Sequence, residues 1–489
     1  MTTRSFYISA AHKSSGKTIV TTGLARAFTN KGLAVQTFKK GPDYIDPLWL
    51  KSATNRPCWN LDFNTQSMAE IGSLFLGRSR GSDIAIVEGN KGLHDGTALD
   101  GSNSNAALAT YLNTPVVLVV DTRGMTRGIA PMIQGITAFD SEVNCIGVIL
   151  NRVGGNRHEG KLLSVLQTYT DTPVLGAVHN NDELFIDERH LGLIPSNEAQ
   201  DSESFIVKAA EIISDRVDLN RLFAAGKPIN KMDRESPPEV VEEPKLTIAI
   251  ARDEAFGFYY EDDFDAFKRA GARCVFFDTL RDKALPACDG LFIGGGFPET
   301  RMDRLSANTE LMKSIRAAIE LGLPAYAECG GLMYLSEGIR WNGHESPMVG
   351  LIPGVCQMQA RPVGRGYVRL RKTMHHPWAD GTEGINAGAS KTVGDGQPDS
   401  HRQTINAHEF HHSDLQLTDA SKPQHFAYKV KRGHGINGDH DGIVINNLLA
   451  NYTHFRTTEA FPWTRQFVDF VRKTAISWTP GENTNGTER

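Results

Sequence analysis

The feature that most constrains this chain is a rhythm of short apolar runs. SFYISA, DIAIVEG, PVVLVVD, CIGVILN and PVLGAV are rich in Val and Ile, and helix-length segments separate them, all before residue 222. Runs that stay apolar on consecutive positions suit strands buried on both faces, hence a parallel sheet covered by helices. A second series follows with LTIAIARD, RCVFFDTL, DGLFIGGG and LPAYAECGG. Between the two, AAGKPINKMDRESPPEVVEEPK (224–245) carries prolines and charges without periodicity and reads as a linker. The expected organisation is an α/β domain over 1–223, the linker, and a second α/β domain over 246–478. That second domain would hold a surface insertion at 373–403, poor in aliphatics, and be followed by a tail at 479–489. A chain of 489 residues exceeds one ordinary core, which agrees with this division.

Composition narrows the function classes. The net charge of −5 offers no basic surface for nucleic acid, and no apolar run reaches the roughly 18 residues of a membrane span. The N-terminus lacks a signal-peptide core, so a cytoplasmic protein is expected. The six cysteines are scattered, with no CxxC pair, which argues against a disulfide framework and a structural zinc site.

ISAAHKSSGKTIV (8–20) lies between the first strand run and a helical segment, the context of a phosphate-binding loop. Loop N–H groups and the helix N-terminus would cradle the phosphates of ATP, with Lys13, Ser14, Ser15, Gly16, Lys17 and Thr18 lining the site. Lys17 would reach the terminal phosphates and the Thr18 hydroxyl would hold Mg²⁺. Ala11 stands where a first glycine is usual, far enough from Gly16 to matter little. Lys13 gives the KxxGK[ST] form of deviant P-loops, whose extra lysine often reaches a facing subunit. A homodimer is the expectation, against a solvated loop lysine. Acids at strand ends are candidate Mg²⁺ ligands: Glu88, Asp121 and, in FKKGPDYIDP, Asp43. Asp46 and Tyr44 of the same loop are candidates for the substrate side. Asx turns and capping are the alternative roles for these acids.

In PAYAECGGLMYL, Cys329 stands between a strand and a helix, on a sharp elbow that would expose a nucleophile and lower its pKa at the helix terminus. Gly330 and the upstream Gly295 and Gly296 are candidate oxyanion donors. A cysteine nucleophile needs a histidine, and with 16 histidines spacing selects none.

The ordered set HKSSGKT, KKGPDYIDP, NLD, VEGNKGLHDG, ERHLGLIP, ARDEAFGFYYEDD, GGGFPE, AECGGLMYL and AHEFHHS resembles the cobyrinate a,c-diamide synthases over nearly all of residues 4–475. The resemblance implies a dethiobiotin-synthetase-like P-loop domain followed by a class I-type glutaminase domain. ATP and Mg²⁺ would serve the first, L-glutamine the second, and the amidated partner would be a tetrapyrrole carboxylate. It also implies Cys329 as the glutaminase nucleophile and His454 as its activating histidine, and names no third acidic residue. His408, His411 and His412 fall in a motif open to structural hydrogen bonding or to metal. Leu50, Asn90, Lys91, the YTHFR segment and the 373–403 insertion depart from the family pattern, toward the expected substrate side. Related amidases act on sirohaem or sirohydrochlorins, which keeps those macrocycles in view beside cobyrinate. From another class, Lys13 also suits a dimeric deviant-Walker ATPase switch with an inactive amidase-like domain. The intact Cys329 context and GGGFPE speak against it.

Overall fold

The computed structural model describes residues 2–184, 188–189, 192–199, 201–229, 244–378, 404–418, 424–474 and 476–480. It divides into two compact units, Met1–Pro237 and Pro238–Arg489. Residues 230–243 of the expected linker (224–245), 379–403 of the expected insertion (373–403) and 481–489 of the expected tail (479–489) lie outside the described residues.

The first unit alternates strand and helix: β1 (Arg4–Ala10), α1 (Lys17–Asn30), β2 (Val35–Lys40), α2 (Ile45–Thr54), β3 (Cys58–Leu61), α3 (Met68–Ser79), β4 (Ile84–Glu88), α4 (Asn105–Tyr111), β5 (Val116–Asp121), α5 (Ile129–Ala138), β6 (Cys145–Val153), α6 (Asn156–Tyr169) and β7 (Val174–His179). A short ribbon, β8 (Glu188–Arg189) with β9 (Gly192–Leu193), precedes α7 (Ser202–Arg216), α8 (Leu219–Ala225) and β10 (Lys227–Pro228). The sheet order is β3-β2-β4-β1-β5-β6-β7, parallel throughout this path, with apolar clusters on both faces. The crossover from β1 runs toward β2 and that from its neighbour β4 toward β5, in opposite directions, so the carboxyl ends of β1, β2, β4 and β5 surround a topological switch point, where open α/β sheets bind ligands. Local chemistry fixes helix starts: Ser67 and Glu70 form a reciprocal capping box on α3.

The expected linker begins later than residue 224. β10 pairs antiparallel with β1, Arg4 opposite Pro228 and Ser5 opposite Lys227. Pairing of β1 with β5 starts only at Tyr7, which leaves the first residues of β1 open to β10 on that side.

The second unit contains β11 (Leu246–Ala251), β12 (Phe256–Phe258), α9 (Glu261–Arg269), β13 (Ala272–Phe277), β14 (Gly290–Ile293), β15 (Gly295–Gly296), α10 (Met302–Ala307), α11 (Thr309–Glu320), β16 (Ala325–Glu328) and α12 (Gly330–Leu335). Then come β17 (Ser336–Trp341), β18 (His344–Pro347), β19 (Ile352–Met358), β20 (Gly364–Lys372), β21 (Ile405–His411), β22 (Ser413–Leu417), β23 (His425–Arg432), β24 (His440–Ile445), β25 (Leu448–Asn451) and α13 (Trp463–Thr474). Its main sheet runs β13-β11-β14-β16-β25-β24-β23-β20-β21, parallel up to β25 and antiparallel beyond. A smaller sheet, β18-β17-β19-β22, follows α12.

The insertion expected from residue 373 is not a surface segment at its start. Thr373 donates its N–H to the Ala427 carbonyl (2.8 Å), and Trp378 is 2% exposed among Tyr326, Trp463 and Phe467. One large aromatic anchors a stretch that its lack of aliphatics marks as surface.

Candidate functional site

The phosphate loop spans the gap between β1 and α1. Gly16 precedes the helix with φ +85°, in the left-handed region, and an added Cβ would collide with Asn151 Nδ2. Asn151 donates to the Ser15 carbonyl (2.9 Å) and Arg152 to the Ser14 carbonyl (2.9 Å), so the end of β6 braces the loop. Lys17 Nζ donates to the Lys91 carbonyl (2.6 Å), and Thr18 Oγ1 to Glu88 Oε1 (2.9 Å). Burial, then the nearby Lys39 ammonium, lowers the Lys17 pKa to about 8. Lys13 is exposed on the loop.

Beside the loop lies a buried charge cluster. Lys39 Nζ pairs with Asp46, with Glu88 Oε1 at 2.8 Å and with Asp43 at 3.8 Å. Burial opposes the Lys39 charge, but Asp46 and Glu88 outweigh it and hold the pKa well above its ordinary value. Burial pushes Glu88 and Asp43 up, while Lys39 pulls Asp46 down against the same burial. Asp43 Oδ1 also accepts the N–H groups of Ile45 (3.0 Å) and Asp46 (3.1 Å), an Asx turn at the start of α2. Asn60, in NLD, clamps the loop by donating to the Gly41 (2.9 Å) and Asp43 (2.7 Å) carbonyls. Tyr44 is buried at the N-cap of α2.

For Mg²⁺, the telling atom is Glu88 Oε2, which is buried without a hydrogen-bond partner next to the Thr18 hydroxyl. An orphan acceptor beside a hydroxyl suits a cation that takes its remaining ligands from phosphates and water. Among the described residues no group of three His, Cys, Asp or Glu side chains is arranged as a metal centre. Asp121, the other acid at a strand end, is engaged by arginines. Arg123 and Arg152 occupy it, at 2.7 and 2.9 Å, and the arginines lower its pKa against burial.

In the second unit, Cys329 joins β16 to α12 at φ 47° and ψ −101°, a strained conformation for a side-chain-bearing residue. Its N–H donates to the Asn451 carbonyl (2.7 Å), because β16 pairs with β25 in the register Glu328–Asn451. That pairing carries the chain after Asn451 toward His454. A Cβ on Gly295 would come within 2.5 Å of His454 Cε1, and one on Gly330 within 3.0 Å of the Gly296 nitrogen. The two glycines of β15 therefore lie between the histidine and the start of the nucleophile's helix, where only backbone fits. Burial, with Glu299 adding, pushes the Cys329 thiol up, although the Gly330 N–H pulls the other way. The expected lowering by the helix terminus is thus overridden by desolvation, and the thiol needs a proton acceptor.

Glu328, next to the nucleophile, was not singled out by the sequence. Its Oε2 lies 3.5 Å from His454 Nδ1. Its Oε1 accepts from the Tyr326 hydroxyl (2.6 Å) and the Phe455 N–H (2.8 Å), so the carboxylate is held from both sides. The period-2 alternation of a strand could have revealed that positions 328 and 326 share a face. His408 stacks on His454 (centroids 5.0 Å, 16°), and burial, then His454, keeps it well below the ordinary histidine pKa. His411 sits 2.8 Å from the Ser413 carbonyl and stacks on Tyr452, and His412 is 3.2 Å from the Gln359 carbonyl. These contacts fit structural roles for the motif. Asp441 was also missed; it accepts both the N–H and the hydroxyl of Thr453, fixing the approach to His454.

Comparisons with known proteins agree with a nucleotide-binding unit followed by an amidotransferase unit. Residues 8–194 match the family described as the CobQ/CobB/MinD/ParA nucleotide binding domain, and 247–460 match the CobB/CobQ-like glutamine amidotransferase domain. The cobyrinate a,c-diamide synthase of Magnetococcus marinus is 38% identical over 474 residues, covering 96% of this chain and 97% of that protein. Those of Picrophilus torridus (38% identical, covering 93% of this chain and 96% of that protein) and Archaeoglobus fulgidus (36%, covering 94% and 95%) are similar over comparable spans. With a nucleotide-binding unit and a glutaminase unit in this order, and relatives alike from end to end, the chain belongs to the cobyrinate a,c-diamide synthase family.

Proposed function

We propose that this chain uses ATP and glutamine to amidate the a and c carboxylates of cobyrinate. A carboxylate resists ammonia at neutral pH because its leaving group would be oxide. A substrate carboxylate oxygen attacks the γ-phosphorus of ATP and ADP departs. Ammonia then attacks the acyl carbon and phosphate leaves. Lys17 would place its ammonium at the transferring phosphoryl group. Thr18 and Glu88 would hold Mg²⁺, which supplies charge neutralisation when bound. Asp43, with an oxygen committed to its turn, belongs with Asp46 and Lys39 on the substrate side, next to Tyr44.

Ammonia comes from glutamine. Cys329 Sγ attacks the amide carbon as His454 takes the thiol proton and returns it to the leaving ammonia. Water then cleaves the thioester to glutamate. N–H groups of Gly295, Gly296 and Gly330 face the tetrahedral oxyanion, and Glu328 orients the His454 ring. Lys13 supports a homodimer, and the composition a cytoplasmic setting; among the described residues no helix is long and apolar enough to cross a membrane.

The observation that carries this reading is the strained Cys329 elbow, with His454 packed against the neighbouring glycines of β15, in a chain that also has a braced P-loop. Incubation with ATP, glutamine and a panel of cobyrinate, sirohaem and sirohydrochlorin, read by mass spectrometry, tests it. Two amidations of cobyrinate are expected; amidation confined to another macrocycle would overturn the substrate.

A further inference from the structure

Adjacent lysines close β2, and strand alternation sends them to opposite faces. Lys39 meets three carboxylates. Lys40 meets none within ion-pair distance among the described residues, although it is only 6% exposed. Its hydrogen bond goes to the Asn90 side-chain oxygen at 3.4 Å, and its ammonium lies 5.7 Å from the centre of the Phe63 ring. Burial, helped by Lys91 and Lys39 and opposed by the charge of Asp62, brings its pKa to about 8. A buried ammonium facing a neutral amide and an aromatic ring, with a second lysine close by, is short of an anion.

The surroundings are rigid. Gly41, at φ +85°, lets Asn90 approach, since a Cβ there would be 3.1 Å from Asn90 Nδ2. Asn105 holds the same loop, accepting from the Asn90 N–H (3.1 Å) and donating to the Gly92 carbonyl (2.6 Å). Lys91 is exposed, and its carbonyl accepts from Lys17. Lys91 therefore touches, through its backbone, the lysine assigned to the phosphates.

We propose that Lys40, Asn90 and Lys91 form an anion subsite that binds the substrate carboxylate not undergoing activation. The inference rests on the proposed function. Before the first amidation the substrate carries both the a and c carboxylates, so while one receives phosphate the other is an anion beside the site; in the second amidation that place holds a neutral amide, so the subsite acts on the first. Lys40 neutralises it, Asn90 donates its amide N–H groups to it, and Lys91 draws it in from solvent.

The test uses the full chain with ammonium chloride in place of glutamine, which isolates the ligase. In Lys40→Met, KM for the tetrapyrrole should rise about tenfold or more, with KM for ATP and glutaminase activity unchanged. Lys91→Met, at an exposed position, should raise the same KM severalfold and flatten its dependence on salt. Unchanged KM for the tetrapyrrole in both variants overturns the proposal. A rise confined to KM for ATP also overturns it and assigns the lysines to the nucleotide. If the wild-type protein amidates no tetrapyrrole, the functional reading itself has failed; amidation by wild type with indifferent variants sinks the subsite alone.

Discussion

Replacing Gly295 by alanine tests the glutaminase geometry with the addition of one methyl group. That Cβ would stand 2.5 Å from His454 Cε1 and 3.3 Å from both His454 Nδ1 and Phe258 Cβ. Non-bonded carbons settle at about 3.5–4.0 Å, so the ring must retreat by about 1 Å. His454 has little freedom to do so. Its N–H donates to the His408 carbonyl (2.8 Å), its ring lies on His408, and Glu328 faces its Nδ1. Strand β15 cannot back away either, because Gly295 pairs with Phe258. The backbone at 295 is not in the left-handed region, so alanine brings steric pressure without added strain. A displacement of about 1 Å costs on the order of 10²-fold in rate, about 2.7 kcal/mol of transition-state stabilisation. Glutamate release should fall by that factor, while amidation with ammonium chloride proceeds at the wild-type rate. In a His454→Ala background the same substitution should cost little more, since the group it displaces is gone. A folded Gly295→Ala protein that hydrolyses glutamine within about twofold of wild type would refute the placement of His454 against β15.

Cys329→Ser should lose glutamine-dependent amidation and keep ammonia-dependent amidation; loss of both would show that the ligase depends on the thiol. Glu328→Gln keeps the shape of the side chain but removes its charge. Glutaminase kcat should drop roughly tenfold or more, with partial recovery in Glu328→Asp and slower alkylation of Cys329 by a diazoketone glutamine analogue. Wild-type alkylation in Glu328→Gln would leave Glu328 a structural residue only. Lys17→Ala should abolish amidation from either nitrogen source, by about 10³-fold or more. Lys17 is charged below its lowered pKa, so kcat/KM for ATP should fall as pH rises through about 8, a decline set by burial and Lys39 and resisted by Glu88, Asp46 and Asp95. A profile flat to pH 9 would contradict that environment.

The parallel strands of both units, the P-loop and the Cys329 elbow were legible because each is a local backbone event, written within a few adjacent residues. Gly16 and Cys329 do their work through their own φ angles and the strands that precede them. The partners of these residues were not legible in the same way. His454 was reached through resemblance, because 16 histidines offer no spacing that selects one. Its place beside Gly295 and Glu328 follows from the register of β16 with β25, strands more than a hundred residues apart in the chain. Asp121 reads as a candidate metal ligand in sequence, and only the fold shows Arg152, on the neighbouring β6, beside it together with Arg123. Trp378 hid in a polar stretch because one ring can anchor what composition marks as surface. Lys39 and Lys40 are identical neighbours in sequence, yet one is surrounded by carboxylates while the other, among the described residues, has an amide oxygen and a ring within contact and no carboxylate within ion-pair distance. Sequence therefore determined which backbone shapes form, since those depend on adjacent residues. Tertiary structure decided which charges meet, because side-chain neighbours are set by strand order and register, to which no single segment holds the key.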